Sequence, residues 1–175
     1  MHKQFDIEAF KEFLSTQSKA TKIYIGGDSE RIFVQGKPHA DFATIVVVHI
    51  DGSKGCRVFG ELVRERDYDQ KIDRPTNRLF MEAVKIAELY ARIEDIIKPF
   101  EVEIHLDLNG KKIHNSNLVV AQAVGYIQGC CQIQPKIKPE AFAASYGADH
   151  FKTILYYQRN QPKNTFKKRR KRRAA

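Results

Sequence analysis

The chain has 175 residues, of which 42% are hydrophobic and 10% aromatic, and this composition suits one compact domain with an ordinary core. The formal net charge is +9, and the three cysteines, which include the adjacent pair Cys130 and Cys131, exclude a disulfide framework. The longest mainly apolar run, residues 43–50, is too short to cross a membrane, and the first ten residues include acidic side chains where a signal sequence would be apolar. We therefore expect a cytoplasmic, intracellular protein with no membrane role.

The first part of the chain predicts a short helix followed by an antiparallel meander. Apolar residues recur at spacings of three and four over residues 7–14, with Asp6 in front of them as a candidate cap. Runs of strand-forming residues come next, separated by turn signals such as the one at residues 36–39. The predicted strands are residues 23–27, which end at Asp28, residues 31–35, which either stand alone or continue the first strand, and residues 42–50 and 56–63.

The middle of the chain predicts one long helix and one strand. From Thr76 to Ile97 the apolar residues again recur at three and four, and a proline stands on each side of this segment. Glu82 falls on the edge of the apolar stripe, whereas most charged residues of the segment face solvent. Residues 102–109 alternate as a strand does, and Asp107 lies near the carboxyl end, where open α/β sheets tend to bind their ligands.

A second helix is predicted over residues 118–128. Asn117 would cap its start, and Gly129 would end it because glycine suits the left-handed position after a helix. A short strand over residues 131–137 should follow.

Pro139 fits the first turn of a third helix, on which Asp149 shares a face with Phe142 and Tyr146. The predicted order is three antiparallel strands followed by helix, strand, helix, strand and helix. This order predicts an α/β fold with a five-stranded mixed sheet flanked by helices, in one domain over residues 1–160.

Four carboxylates stand at strand ends or on the packed faces of helices in this pattern: Asp28, Glu82, Asp107 and Asp149. Unpaired carboxylates near a core are costly to desolvate, so a cluster of them usually has a bound cation or a shared proton. Three of them also have a local explanation, because Asp28 can cap a turn, Glu82 can pair with Arg78 and Asp149 can pair with Lys152. Together they favour a divalent-metal site that acts on phosphates.

The order and placement of these residues resemble the ribonuclease H-like fold. More closely, the chain resembles the YkuK family of ribonuclease H-like proteins over roughly residues 20–152. The segments that carry this resemblance are IYIGGDS, NRLFMEA, IHLDLN, SNLVVAQAVGYIQG and KPEAFAASYGADH. The resemblance implies that the four carboxylates match the catalytic and metal-binding acidic tetrad of the superfamily, with Mg²⁺ or Mn²⁺ as the expected cofactor.

Such a tetrad permits in-line hydrolysis of a phosphodiester, in which two hard cations roughly 4 Å apart activate water and stabilise the leaving oxygen. Asp28 and Asp107 are the best candidates to contact both cations, and Glu82 and Asp149 would complete the separate sites. His105 or His150 could assist proton transfer, although single histidines are more often structural, and neither is placed in the catalytic set. Second-tier candidates for orienting water or substrate are Ser29, Asn109, Ser116 and Asn117, although polar residues in turns usually satisfy local backbone groups. Lys136 and Lys138 either hold a phosphate or solvate an edge strand, and the second interpretation is favoured.

The last fifteen residues carry no acidic side chain and eight basic ones. A block of like charge buries no apolar area, so residues 161–175 are predicted to be disordered alone and attracted to a polyanion such as RNA, DNA or their hybrid. A solvated terminus or a nuclear address are the alternatives. The residues expected to contact nucleic acid are Lys167, Lys168, Arg169, Arg170, Lys171, Arg172 and Arg173.

Two functional classes are consistent with the sequence. A metal-dependent nuclease accounts for the complete tetrad, and a non-catalytic nucleic-acid-binding or adaptor protein would use the same fold with the basic tail. The sequence has no P-loop, dinucleotide fingerprint, nucleophile elbow or zinc-type spacing of cysteine and histidine. The acidic tetrad favours the nuclease.

Overall fold

A computed structural model describes residues 2–70, 75–109, 117–143, 147–148 and 151–153. The described part is an α/β fold in which helices flank a five-stranded mixed sheet, as the sequence predicts. In chain order its elements are α1 (Ile7–Ser15), β1 (Lys22–Val34), β2 (Lys37–His49), a 3₁₀ turn (Ile50–Gly52), β3 (Cys56–Arg66), α2 (Thr76–Ile97), β4 (Glu101–Asn109), α3 (Asn117–Cys131) and β5 (Lys136–Lys138).

The strands lie in the order β3-β2-β1-β4-β5. The first three are antiparallel neighbours, whereas β4 is parallel to β1 and β5 is parallel to β4. A two-residue turn joins β1 to β2, and both Gln35 and Gly36 have the positive φ that such tight hairpin turns require. Parallel strands cannot be joined so tightly, and the long α2 provides the crossover that brings β4 beside β1.

The two faces of the sheet are covered differently. Ile23 and Ile25 of β1 face a core built with α2 and α3, and we call this side the α2 face. Tyr24, between them, faces a smaller cluster with Ala148 and Phe151, and we call that side the C-terminal face. Because side chains alternate along a strand, every residue of β1 can be assigned to one of these faces.

Helix α2 lies close against β1. A Cβ atom added at Gly27 would come within 3.2 Å of the Ala43 carbonyl oxygen and 3.4 Å of the Ile86 side chain. The glycine therefore leaves room for α2 at the point where β1 continues into Asp28. The predicted bounds of α2 are confirmed, and Glu82 is buried at 5% exposure, as its place on the apolar stripe indicates.

The predicted end of the first strand is wrong. Residues 29–34 pair with β2 without a break, from Ser29 opposite Phe42 to Val34 opposite Lys37, so Asp28 lies within β1. The alternative in which residues 31–35 continue the first strand is the correct one. The turn predicted at residues 36–39 is also smaller than expected, because Lys37 already belongs to β2.

The third part of the chain differs from its prediction at three places. Helix α3 continues through Gly129 to Cys131, and Gln132 takes the left-handed position instead. Strand β5 has three residues, Lys136–Lys138, and its pairing with β4 is irregular between His105 and Asn109. Pro139 lies in a turn and not in a helix.

The predicted third helix falls partly outside the described residues. Residues 142–143, 147–148 and 151–153 are helical, whereas Tyr146 and Asp149 lie outside the description. The basic segment 161–175 also lies outside it. None of the helices in the described ranges is long and apolar enough to cross a membrane.

Candidate functional site

Asp28 and Asp107 lie side by side on one face of the sheet. The parallel pairing of β1 with β4 runs from Lys22 and Glu101 to Gly27 and Leu106, and the two aspartates are the next residue on each strand. Alternation places Asp28 on the C-terminal face with Tyr24, and Asp107 on the same face with His105, whose ring lies 5.4 Å from that of Tyr24. Their side chains remain partly exposed, at 25% and 16%. The structure therefore brings this predicted pair together.

Each of these two carboxylates has a lysine partner. The Lys152 ammonium lies 2.6 Å from Oδ2 of Asp28, and the Lys138 ammonium contacts Oδ1 of Asp107. Lys152 comes from the helical residues that cover the C-terminal face, and Lys138 comes from β5. Two positive charges thus offset the two negative charges at this point of the sheet.

Glu82 approaches the same region from the opposite side. Ser29 follows Asp28, so its side chain points to the α2 face, where its hydroxyl donates a 2.5 Å hydrogen bond to Oε1 of Glu82. Arg78, one turn earlier in α2, donates from Nη1 to the Ser29 carbonyl oxygen at 2.6 Å and to its hydroxyl oxygen at 2.7 Å. Ser29 therefore stands between the two residues that the sequence suggests as a direct ion pair.

Burial raises the pKa of Glu82 to about 8. The Ser29 hydrogen bond and the Arg78 charge oppose this rise, whereas the charges of Asp28 and Asp107 add to it. A carboxyl group with this pKa is largely protonated at neutral pH. The two aspartates thus act electrostatically on Glu82, although they lie on the other face.

Residues 67–69 fix the start of α2 and hence the position of Glu82. Pro75 caps the helix without a side-chain hydrogen bond, and Asp69 accepts from the Asn77 and Arg78 backbone N–H groups at 2.9 and 2.8 Å. Asp67 in turn accepts from the Asp69 backbone N–H and pairs with Arg31 of β1. Sequence reasoning missed this cap, because the capping carboxylate lies several residues before the helix.

His105 is fully buried on the C-terminal face and is held at both ring nitrogens. Its Nδ1 accepts a 3.1 Å hydrogen bond from the Ala143 backbone N–H, so the proton resides on Nε2, which lies 3.0 Å from Oε2 of Glu103. Burial lowers the pKa of His105. The Phe142 ring packs edge-on against the imidazole at 4.8 Å. His105 therefore fastens the segment after β5 to the sheet, and both of its ring nitrogens are engaged in these contacts.

The other second-tier residues are distributed as follows. Lys136 pairs with Glu103 at 2.7 Å, and Lys138 pairs with Asp107, so the described contacts of both lysines are with carboxylates. Asn109 ends β4. Ser116, Asp149 and His150 lie outside the described residues, as do the basic residues of the tail.

The carboxylate oxygens of Asp28, Glu82 and Asp107 suit a hard divalent cation chemically. The register of β1 and β4 places Asp28 and Asp107 side by side, and the charges of both raise the pKa of Glu82. In the described part of the chain, no three His, Cys, Asp or Glu side chains are arranged to hold a metal ion. The fit to a cation therefore rests on the Asp28 and Asp107 pair.

The sheet order, the crossover helix and the placement of carboxylates on β1, α2 and β4 define an α/β protein of ribonuclease H-like architecture. The family model described as ribonuclease H-like matches residues 6–153, and the chain belongs to this family. Comparisons with curated proteins and with solved structures found no match.

Proposed function

We propose that this protein is a divalent-metal-dependent nuclease that hydrolyses phosphodiester bonds in nucleic acid, and that it is a YkuK-type member of its family. The observation that carries the proposal is the placement of Asp28 and Asp107 on the same face of neighbouring parallel strands, one residue beyond their last pair. The segments IYIGGDS and IHLDLN, which carry these residues, support the YkuK assignment.

Asp28 and Asp107 would hold the cation, Mg²⁺ or Mn²⁺, through their carboxylate oxygens. When bound, such a cation supplies charge stabilisation to the phosphate and lowers the pKa of water. The pairing of β1 with β4 extends to Gly27 and Leu106, the residues directly before the two aspartates. The sheet therefore fixes the backbone of Asp28 and Asp107, so their carboxylates need little reorganisation to bind a cation. Asp149 is proposed as a further ligand on the basis of the sequence alone.

Glu82 has a different role from the two aspartates. Its carboxyl group is buried, bonded to Ser29 and favours the protonated form. Since the charges of Asp28 and Asp107 help to keep it protonated, neutralising them favours its ionisation. Burial is the main cause of the raised pKa and does not change when a cation binds; the cation would favour the carboxylate form of Glu82 against it.

The basic residues 167–173 would supply attraction to nucleic acid, because lysine and arginine neutralise phosphates without reading sequence. We place the activity in an intracellular compartment. The three cysteines support this placement, since all of them are free and Cys56 and Cys130 are exposed.

The proposal is tested by cleavage of labelled single strands, duplexes, RNA–DNA hybrids and four-way junctions with Mg²⁺, Mn²⁺ or chelator. Wild type is compared with Asp107→Asn, and Asp95→Asn is the matched control, because Asp95 is an exposed carboxylate more than three turns beyond Glu82 on α2. We expect metal-dependent cutting by wild type and the control, and a loss of at least about a hundredfold in Asp107→Asn.

Binding is measured on the same substrates. Asp107→Asn should bind nucleic acid as wild type does, because the substitution removes a negative charge and leaves the basic residues intact. Cutting by Asp107→Asn at the wild-type rate would contradict the proposed site. Binding without cutting on every substrate would favour the non-catalytic adaptor instead.

A further inference from the structure

We propose that Lys138 and Lys152 are internal competitors of the divalent cation, each of which occupies one aspartate in the metal-free protein and leaves it when the cation binds. This inference rests on the proposed function, since it concerns the same site. It adds that two lysine side chains of the protein determine how tightly the cation binds at this site.

Each lysine contacts one of the two aspartates. Lys152 lies 2.6 Å from Oδ2 of Asp28, and Lys138 is in contact with Oδ1 of Asp107. The two lysines reach the pair from different elements, one from β5 and the other from the helical residues 151–153. Both aspartates of the proposed cation site are therefore neutralised independently.

A lysine ammonium group and a divalent cation cannot both bind the same carboxylate oxygen. An ammonium group at 2.6 Å uses the same oxygen lone pairs that a divalent cation needs, and two positive groups on one carboxylate oxygen repel each other. Binding of the divalent cation must therefore displace the ammonium groups or hold them at a distance. By linkage, any interaction that stabilises the ion pairs of the metal-free protein lowers the affinity for the metal by the same factor.

The lysines also explain how the metal-free protein tolerates its acidic pair. Asp28 and Asp107 are partly buried, at 25% and 16% exposure, and two unpaired carboxylates on adjoining strands would repel each other. The positive charges of Lys152 and Lys138 offset this repulsion. Both lysine side chains remain partly exposed, at 21% for Lys152 and 43% for Lys138, so each ammonium has a path to solvent when it leaves.

The experiment is a calorimetric titration of Mn²⁺ into the full-length protein, comparing wild type with Lys138→Gln and Lys152→Gln. Lys136→Gln is the matched control, because Lys136 lies on the same strand as Lys138, has the same 43% exposure and pairs with Glu103 instead. We expect Lys138→Gln and Lys152→Gln to bind Mn²⁺ about three- to tenfold more tightly than wild type. Lys136→Gln reports the effect of removing one nearby charge and should change the affinity less than about twofold.

A double-mutant cycle separates competition from a general charge effect. In an Asp107→Asn background Lys138 has no carboxylate to occupy, so in chelator Lys138→Gln should no longer lower the unfolding temperature. Circular dichroism and thermal unfolding in chelator verify that each variant is folded. In chelator, Lys138→Gln should unfold at a lower temperature than Lys136→Gln, and saturating Mn²⁺ should reduce this difference.

The outcomes distinguish the inference from the proposed function. If wild type binds Mn²⁺ and both site variants bind it with equal or lower affinity, the competition is wrong and the metal site stands. If Mn²⁺ binds to neither wild type nor the variants, the metal-dependent function is overturned, and the inference with it.

Discussion

The Ser29 hydroxyl donates a 2.5 Å hydrogen bond to Oε1 of Glu82, and this contact joins β1 to α2 at the proposed site. Ser29 directly follows Asp28, so the alternation of β1 places the two neighbours on opposite faces. One dipeptide of β1 thus contributes a carboxylate to one face of the sheet and positions a buried carboxyl group on the other. The stability of this connection and the ionisation of Glu82 can both be measured.

Ser29→Ala should destabilise the protein by about 1–3 kcal/mol, because it removes the donor to Glu82 and the side-chain acceptor of Arg78 inside a buried region. Urea unfolding at pH 6 measures the change in free energy. Ser53→Ala, at an exposed position, is the control and should leave the free energy within about 0.5 kcal/mol of wild type. Equal stability of Ser29→Ala and wild type would show that the Ser29 contacts contribute nothing.

The raised pKa of Glu82 predicts that the stability of the metal-free protein depends on pH. Its pKa is raised from 4.5 to about 8, mainly by burial, so the folded state binds the proton more tightly than the unfolded state does. The contribution of Glu82 is fully present below pH 4.5 and is lost as the pH rises through about 8, by on the order of 5 kcal/mol in total. Glu82→Gln, which mimics the protonated carboxyl, should remove this part of the pH dependence.

The measurement is urea unfolding of wild type and Glu82→Gln at pH 5, 7 and 9 in chelator. The two proteins should be similar at pH 5, and the variant should be the more stable one at pH 9. Glu12→Gln, at an exposed position of α1, serves as the control and should follow wild type at every pH. Parallel curves for wild type and Glu82→Gln would contradict a raised pKa.

Local signals predicted the scaffold well where they were unambiguous. Helix α2 has an apolar stripe at regular spacing with Pro75 before it and Pro99 after it, and its bounds were predicted to the residue. The strand order follows from two antiparallel connections, β1 to β2 and β2 to β3, and from two helical crossovers through α2 and α3, which leave few alternatives. The family that the sequence resembles is also the one to which the chain belongs, at the level of ribonuclease H-like proteins.

Features that depend on pairing between distant segments were predicted less well. The polar residues Asp28 to Glu30 look like the end of a strand, and only the partners supplied by β2 show that β1 continues. The sequence gives no sign of the contact between Lys152 and Asp28, which lie 124 residues apart, and the suggested pairing of Lys152 with Asp149 falls outside the described residues. The glycine signal at Gly129 was also misleading, because α3 continues two residues further to Cys131, which is buried in the core.

Deletion of residues 163–175 should weaken binding to nucleic acid and flatten its salt dependence. Each phosphate contact that is lost should reduce the slope of log affinity against log salt by roughly 0.7 to 0.9. A full-length variant with Gln at positions 167–173 is the matched control, because it keeps the length of the tail and removes its charge. Fluorescence anisotropy over a salt series measures both. An unchanged slope in the two variants would show that phosphate contacts lie elsewhere.

Substitution of His105 tests whether its buried imidazole stabilises the fold or transfers protons in the reaction. Its Nδ1 accepts a hydrogen bond from the Ala143 backbone N–H, and its Nε2 faces Glu103. His105→Leu should lower the free energy of unfolding by about 2–4 kcal/mol, because it leaves the buried Ala143 N–H without an acceptor. His105→Asn can keep an acceptor near the Nδ1 position and should lower it less. If cleavage depended on proton transfer by His105, its replacement would remove an ionisation from the pH profile of kcat. We expect the profile of His105→Asn to keep the wild-type shape at a temperature where both proteins are folded. Loss of one limb of that profile would instead place His105 in the reaction.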